Sequence, residues 1–434
     1  MAGPREVDGC LTLLELTLLA ASAPADDARV GTVVGSDLRI SGTGAIGDDL
    51  MPAVAFGVDR YLVVWSDFRS AQAKIYGRFV ENDGTFVGGD FRVSGAGSTA
   101  NETAPAVAFN DTQGEFLVVW GDDRNSGTRG RDIYGRRIRQ DGTLLGNDFR
   151  ISGAGALGWE YSPAVAWSPV SHTFLVVWED GRDWANRSWD VWGRIVTADG
   201  KVPFGEIQVS GSQALGADSL PDVAAARGGD ANPGFLVVWE DERNFAAGQG
   251  YDIYGRRLST TGGKLGPDFR INGHWGSNQQ QAAVAYCAQQ YLVVWRDGRN
   301  VGTTDFDIYG RRIGTDGTKL GGDFAVTSEA HEQGYPDVAF DTSGSRFLVV
   351  WQDWRNYGPG LPGDRGSDTF ARRVAANGTL VGGNFLVSGT AAVSHENDPA
   401  VAYGPSGDRF MVVWSDWRNQ GTRGDDIFGR RVAG

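Results

Sequence analysis

Seven times along this chain the same nine-residue phrase returns: "YLVVWSDFR", "FLVVWGDDR", "FLVVWEDGR", "FLVVWEDER", "YLVVWRDGR", "FLVVWQDWR" and "FMVVWSDWR". Their tryptophans, Trp65, Trp120, Trp178, Trp239, Trp295, Trp351 and Trp414, stand 55 to 63 residues apart. A period of that size belongs to propeller blades or helical arrays, and the β-branched and aromatic enrichment with constant turn punctuation excludes helices.

Each unit holds four strand-like pieces. In the second copy they are "PAVAF" (105–109), "FLVVWGDDR" (116–124), "DIYGRRI" (132–138) and "DFRIS" (148–152), separated by turns rich in Gly, Asn, Asp and Ser. Four short antiparallel strands repeated seven times predict an all-β chain, a seven-bladed β-propeller of four-stranded antiparallel blades. The ends agree with a closed ring. "GSDLRIS" (35–41) is a lone fourth strand near the start, and the last unit stops at "DIFGRRVAG", just after its third. Pairing the N-terminal strand into the last blade completes it and removes a free sheet edge. One propeller domain is therefore expected over 33–434.

Alanine and valine in "PAVAF" suit the innermost strand, where seven blades crowd the axis. Chain direction then puts the fourth-to-first and second-to-third connections on one face, the top. Length varies there: four residues separate the motif Arg from the third strand after Arg69, seven after Arg124 and twelve after Arg355. Variable loops on a rigid scaffold usually carry function.

Positions two apart in a strand share a face, so Val176, Trp178, Asp180 and Arg182 lie on one side. All seven units keep the set: Asp67, Asp122, Asp180, Asp241, Asp297, Asp353 and Asp416, with Arg69, Arg124, Arg182, Arg243, Arg299, Arg355 and Arg418. A catalytic group is rarely present in seven near-identical copies, so Trp, Asp and Arg are read as a structural blade motif. A second arginine follows in every third strand, from Arg78 to Arg430, and is read the same way.

The arrangement resembles bacterial secreted β-propeller repeat proteins with LVVWxDxR and DIYGRR blades, and more distantly the WD40 and kelch propellers. The resemblance spans 33–434. It implies the fold and not an activity, because propellers host lectins, hydrolases, redox enzymes and docking platforms alike.

A net charge of -14 argues against nucleic acid or an anionic membrane surface as partner. Cys10 and Cys287 are too few for a disulfide framework. The start, "CLTLLELTLLAASAPADD", has an apolar run of signal-peptide length, with Ala23-Pro24-Ala25 as candidate cleavage site, although Glu15 interrupts it and no basic residues dominate before it. Residues 1–25 are read as a signal peptide or disordered N-terminal segment, and the protein as secreted, at the cell surface or periplasmic. No stretch is long enough to span a bilayer.

Candidate chemistry gathers on the top loops. Three residues before the first strand stand Asp49, Glu102, Glu160, Asp218, Gln279, Gln333 and Glu396, a set expected to aim oxygen acceptors around the channel mouth. Hard cations prefer such ligands, so the one cofactor this ring admits is calcium. His331 and His395, beside Glu332 and Glu396, offer a weaker transition-metal set. Trp159, Tyr161, Trp184, Trp189, Trp275, Trp354, Tyr357 and Trp417 fall in or beside the same loops and could grip sugars. No hydrolase elbow, zinc-protease, phosphate-loop or dinucleotide fingerprint occurs. The expected role is a non-catalytic exported platform for binding, adhesion or protein interaction through the top face, its partner a protein or a carbohydrate. The alternative is a lectin-like carbohydrate binder, with or without calcium, and after it a glycan-active hydrolase.

Overall fold

The computed structural model describes residues 32–434, apart from 43–45, 154–156, 212–215, 231–232, 359–365 and 390–393. The signal-peptide reading falls outside the described residues. Seven four-stranded antiparallel sheets follow one another around an axis, six of them with their strands in chain order from the inside out. Blade 2, for instance, comprises Glu102–Asn110, Glu115–Asp122, Asp132–Arg139 and Leu144–Arg150. Blade 7 takes its outer strand from the N-terminus: Val33–Arg39 pairs with Asp426–Ala433. The ring therefore closes as the offset of the sequence ends requires. No helix among the described residues is long and apolar enough to cross a membrane.

The core is not one cluster but seven layers, each between two blades, and strand alternation builds them. In "YLVVW", Tyr61, Val63 and Trp65 face blade 7 and pack with Met411, Val413 and Ile427. Leu62 and Val64 face blade 2 and pack with Phe116, Val118 and Trp120. A second strand buried on both faces must be apolar throughout, which is why this phrase shows no polar alternation. All seven motif tryptophans are fully buried, and truncating one such side chain costs about 3–5 kcal/mol.

The rest of the motif locks this layer at its top edge. Each indole N–H donates to the motif Asp two residues on, at 2.7–3.3 Å. That carboxylate also accepts from the backbone N–H of the motif Arg at 2.8–2.9 Å. The guanidinium then folds back over the third-strand aromatic ring, 3.8–4.1 Å from its centroid in every blade. The second arginine ties blade to blade: in six copies it donates to a carbonyl of the preceding blade, at 2.7–3.3 Å.

Candidate active site at the top of the axis

The inner strands all begin at the top, and each carries a bulge at its second or third residue. The bulged residue has a left-handed backbone in all seven blades, from φ 48° at Ser162 and Leu220 to 55° at Ala104 and Gln281, although none is glycine. Such conformations persist where the surroundings over-determine them. Here the preceding blade does so. Ser66 accepts from the N–H of Ala104 at 3.0 Å, Glu179 from Leu220 at 2.7 Å and Glu240 from Gln281 at 3.2 Å. A proline follows the bulge in six blades.

These bulges and prolines ring a cavity of about 630 Å³ at the channel mouth. The next residue along each strand is Ala in five blades, but blades 4 and 6 place Asp222 and Asp337 there, both in the cavity lining, and blade 7 adds Asp398 from its bulge. Each of the two strand aspartates reaches the next blade. Asp222 Oδ2 accepts from the N–H of Val284 at 2.8 Å, and Asp337 Oδ2 from that of Val401 at 2.7 Å. Asp337 Oδ1 accepts a further N–H, from Val338, at 2.8 Å.

Desolvation sets the protonation of these groups. Burial, with the Asp337 charge added to it, pushes Asp222 up to about 7; burial alone pushes Asp337 to about 6. Backbone N–H donors hold both from rising further. Burial also raises Asp398, and behind the bulges it raises Glu179 and pushes Glu240 to about 7. Two carboxyls that change charge one after the other near neutrality, in one concave site, are an arrangement suited to acid–base chemistry.

The acceptor ring expected at this mouth lies elsewhere. Asp49, Glu102, Glu160, Asp218, Gln279, Gln333 and Glu396 are all buried, at 0–1% exposure, because each is the first residue of its inner strand, paired directly with the motif Asp. Side chains across such a pair share a face, so these point into the blade junction beside the tryptophan and not toward the axis. Asp49 and Asp218 accept from the indoles of Trp65 and Trp239, Glu160 and Glu396 from the N–H groups of Ile133 and Thr369. Glu102 meets the ammonium of Lys74 at 3.3 Å. Gln279 accepts from Asn272, and Gln333 donates to the carbonyl of Glu329. Burial beside a motif carboxylate pushes Asp49 and Glu160 up to about 9 and raises Asp218 and Glu396 well above the usual range.

Among the described residues no three His, Cys, Asp or Glu side chains are grouped so as to hold a metal ion. His395 instead packs among Trp354, Tyr357 and Trp417, with ring centroids 4.8–5.9 Å away. Other loop aromatics stay open on the top face. Trp159 stacks on Tyr161 with centroids 6.1 Å apart, Trp189 packs edge-on against Tyr161, and Trp275 lies under Arg270. Trp184 is exposed. The axial aspartates were missed in the sequence, yet their signal is there: "PDVAA" and "PDVAF" where other copies read "PAVAF", "PAVAW", "AAVAY" or "PAVAY".

No family model and no curated protein matches the sequence. Solved structures share the fold. The chain is similar to the α-L-arabinanase of Penicillium chrysogenum, solved with arabinobiose, at 12% identity over 93% of this chain and 98% of that one, with a TM-score of 0.51. It is similar to the GH93 α-L-arabinofuranosidase of Fusarium graminearum, also with arabinobiose, at 13% identity over 79% and 98%, TM-score 0.51. A puromycin hydrolase aligns at 13% identity over 91% of this chain and 52% of that one, TM-score 0.50. At these identities the likeness is one of fold. All three neighbours are hydrolases, which counts against the expectation of a non-catalytic adhesion or protein-interaction platform.

Proposed function

We propose that this chain is an exported glycan-active hydrolase whose active site is the top axial cavity. The observation that carries the reading is the departure of blades 4 and 6 from their own repeat: two alanines of the inner ring are replaced by aspartates that open into one cavity, with Asp398 beside them. Glycoside hydrolysis asks for such a pair, one carboxylic acid to protonate the leaving oxygen and one carboxylate to activate water or attack carbon. Asp337, with both oxygens accepting backbone N–H groups and the lower pKa, is the carboxylate. Asp222, raised by burial with the Asp337 charge added to it, retains its proton longer and is the acid. Exposed aromatic faces at Trp159, Trp275 and Tyr335 supply apolar platforms for sugar rings on the same face. The arabinobiose complexes of two structural neighbours make arabinan the first polymer to try.

The test is release of reducing ends from arabinan and a wider polysaccharide panel by the wild type, D222N and D337N. Turnover lost in both variants, with folding intact, supports the assignment. Glycan binding without turnover by the wild type sinks it and leaves the lectin-like reading.

A further inference from the structure

The inner strands run in one direction, so their last residues ring the bottom of the axis as their first ring the top. Six carry an aromatic side chain at their last or next-to-last residue, at Phe56, Phe109, Trp167, Tyr286, Phe340 and Tyr403. Each packs on the ring paired with it in the second strand, with centroids 4.7–5.5 Å apart. Blade 4 breaks the pattern. Ala225 holds that register, opposite Phe235, and the neighbouring blades on either side present Trp167 and Tyr286.

Ala225 lines a cavity of about 650 Å³ at this end of the axis, separate from the top site, with Trp167, Tyr286, Phe340 and Tyr403 among its walls. Among the described residues its lining contains no carboxylate and one charged residue, Arg227, which is exposed and lies two positions beyond Ala225. Nearby acids are occupied by phenols: the hydroxyl of Tyr286 donates to Asp230 at 2.7 Å and that of Tyr403 to Asp408 at 2.9 Å. The ring missing at Ala225, the aromatic side chains around the rest of the lining and the one arginine among its described residues define the chemistry of an occupant.

We propose that the bottom cavity binds an aromatic carboxylate, whose ring takes the place that the other six blades fill with their own side chain and whose carboxylate meets Arg227. The shape selects a planar ring, and the guanidinium selects the anion. This site does not depend on the hydrolase reading of the opposite face.

Isothermal titration of the intact chain with benzoate tests it, with cyclohexanecarboxylate and benzyl alcohol as controls. Saturable one-to-one binding of benzoate is expected, with both controls weaker by about tenfold or more. R227Q should weaken benzoate about tenfold and leave benzyl alcohol unchanged, since only the charge-assisted contact is removed. A225F supplies the ring that six blades already carry and should abolish binding of all three. Absence of saturable benzoate binding overturns the proposal, as does benzoate affinity unchanged in R227Q or in a folded A225F. Should A225F fail to fold, the R227Q comparison decides alone.

Discussion

The blade junctions and the axis are built from the same seven repeats and treat them in opposite ways. At the junctions the copies are interchangeable: the same Trp, Asp and Arg meet at nearly the same distances in every blade. Along the axis they are not. The inner-strand position is Ala at 53, 106, 164, 283 and 400 but Asp at 222 and 337, and the bottom ring is aromatic except at Ala225. A junction residue serves the same mechanical task seven times, so any copy that drifts weakens the ring. At the inner-strand position the alanine is small, and a single copy can become Asp by bonding a backbone N–H of the next blade, as Asp222 and Asp337 do. In a repeat protein of this kind chemistry is therefore found where a copy leaves its own pattern, and scaffold where all copies agree.

Erasing the departure is the most direct way to break that comparison. Returning blades 4 and 6 to the common pattern with D222A or D337A should lower glycan hydrolysis by about 10²–10⁴-fold, the usual share of a general acid or base, with the melting temperature unchanged or raised. Activity assays alongside thermal unfolding check both halves, and a variant that unfolds while keeping specific activity would contradict the division drawn here. The converse change belongs at a junction. Asp297 is fully buried and accepts from the Trp295 indole at 2.8 Å and from Arg299 at 2.7–2.9 Å. Asp297→Ala leaves the buried indole without its acceptor and Arg299 with Asp323 as its remaining carboxylate, and should cost about 3–5 kcal/mol of stability, read by denaturant unfolding, with no specific effect on catalysis in the fraction that remains folded.

A pH profile sharpens the axial half. Activity needs Asp337 ionised and Asp222 protonated, so the rate should rise through about 6 and fall through about 7. Each limb changes about tenfold per pH unit beyond its midpoint. Asp337→Asn removes the neighbouring charge and should also lower the Asp222 midpoint, measurable by carboxyl NMR titration even where turnover is lost. An unmoved Asp222 midpoint would mean that burial alone raises it.

How much of this was legible follows from the same contrast. Blade number, strand order, ring closure and the motif could be read because they recur, and a repeat averages over its own noise. The acidic ring was misplaced because Asp49 and its equivalents precede a bulge: counted as loop residues they fall at the mouth, whereas the extra bulged residue makes them the first strand pairs, facing the junction. Asp222 and Asp337 were overlooked for a different reason. Averaging seven copies into "PAVAF" discards the two that differ, and the site is made of those two.

The buried ring offers the finest test, because it contains its own control. Blades 5 and 6 carry amides at this position, Gln279 and Gln333, while blade 3 carries Glu160, whose Oε1 is buried without a hydrogen-bond partner among the described residues. Burial and Asp180 hold Glu160 at about 9, far above its value of 4.5 in an unfolded chain. The folded state therefore binds the extra proton, and the stability this group contributes is complete below about 4.5 and is lost as pH rises toward 9. Glu160→Gln, which gives blade 3 the side chain of blades 5 and 6, should leave stability at pH 4 nearly unchanged and raise it by about 1–2 kcal/mol at pH 8.5, seen as a melting temperature a few degrees higher. Blade 2 should respond in the other direction. There the Lys74 ammonium, itself buried, meets Glu102 at 3.3 Å, so Glu102→Gln removes the partner of a buried cation and should destabilise at pH 8.5. Equal effects of the two substitutions would show that the lysine does not distinguish the two junctions; opposite signs would show that one strand position, repeated seven times, is neutralised by a proton in blade 3 and by an ammonium in blade 2.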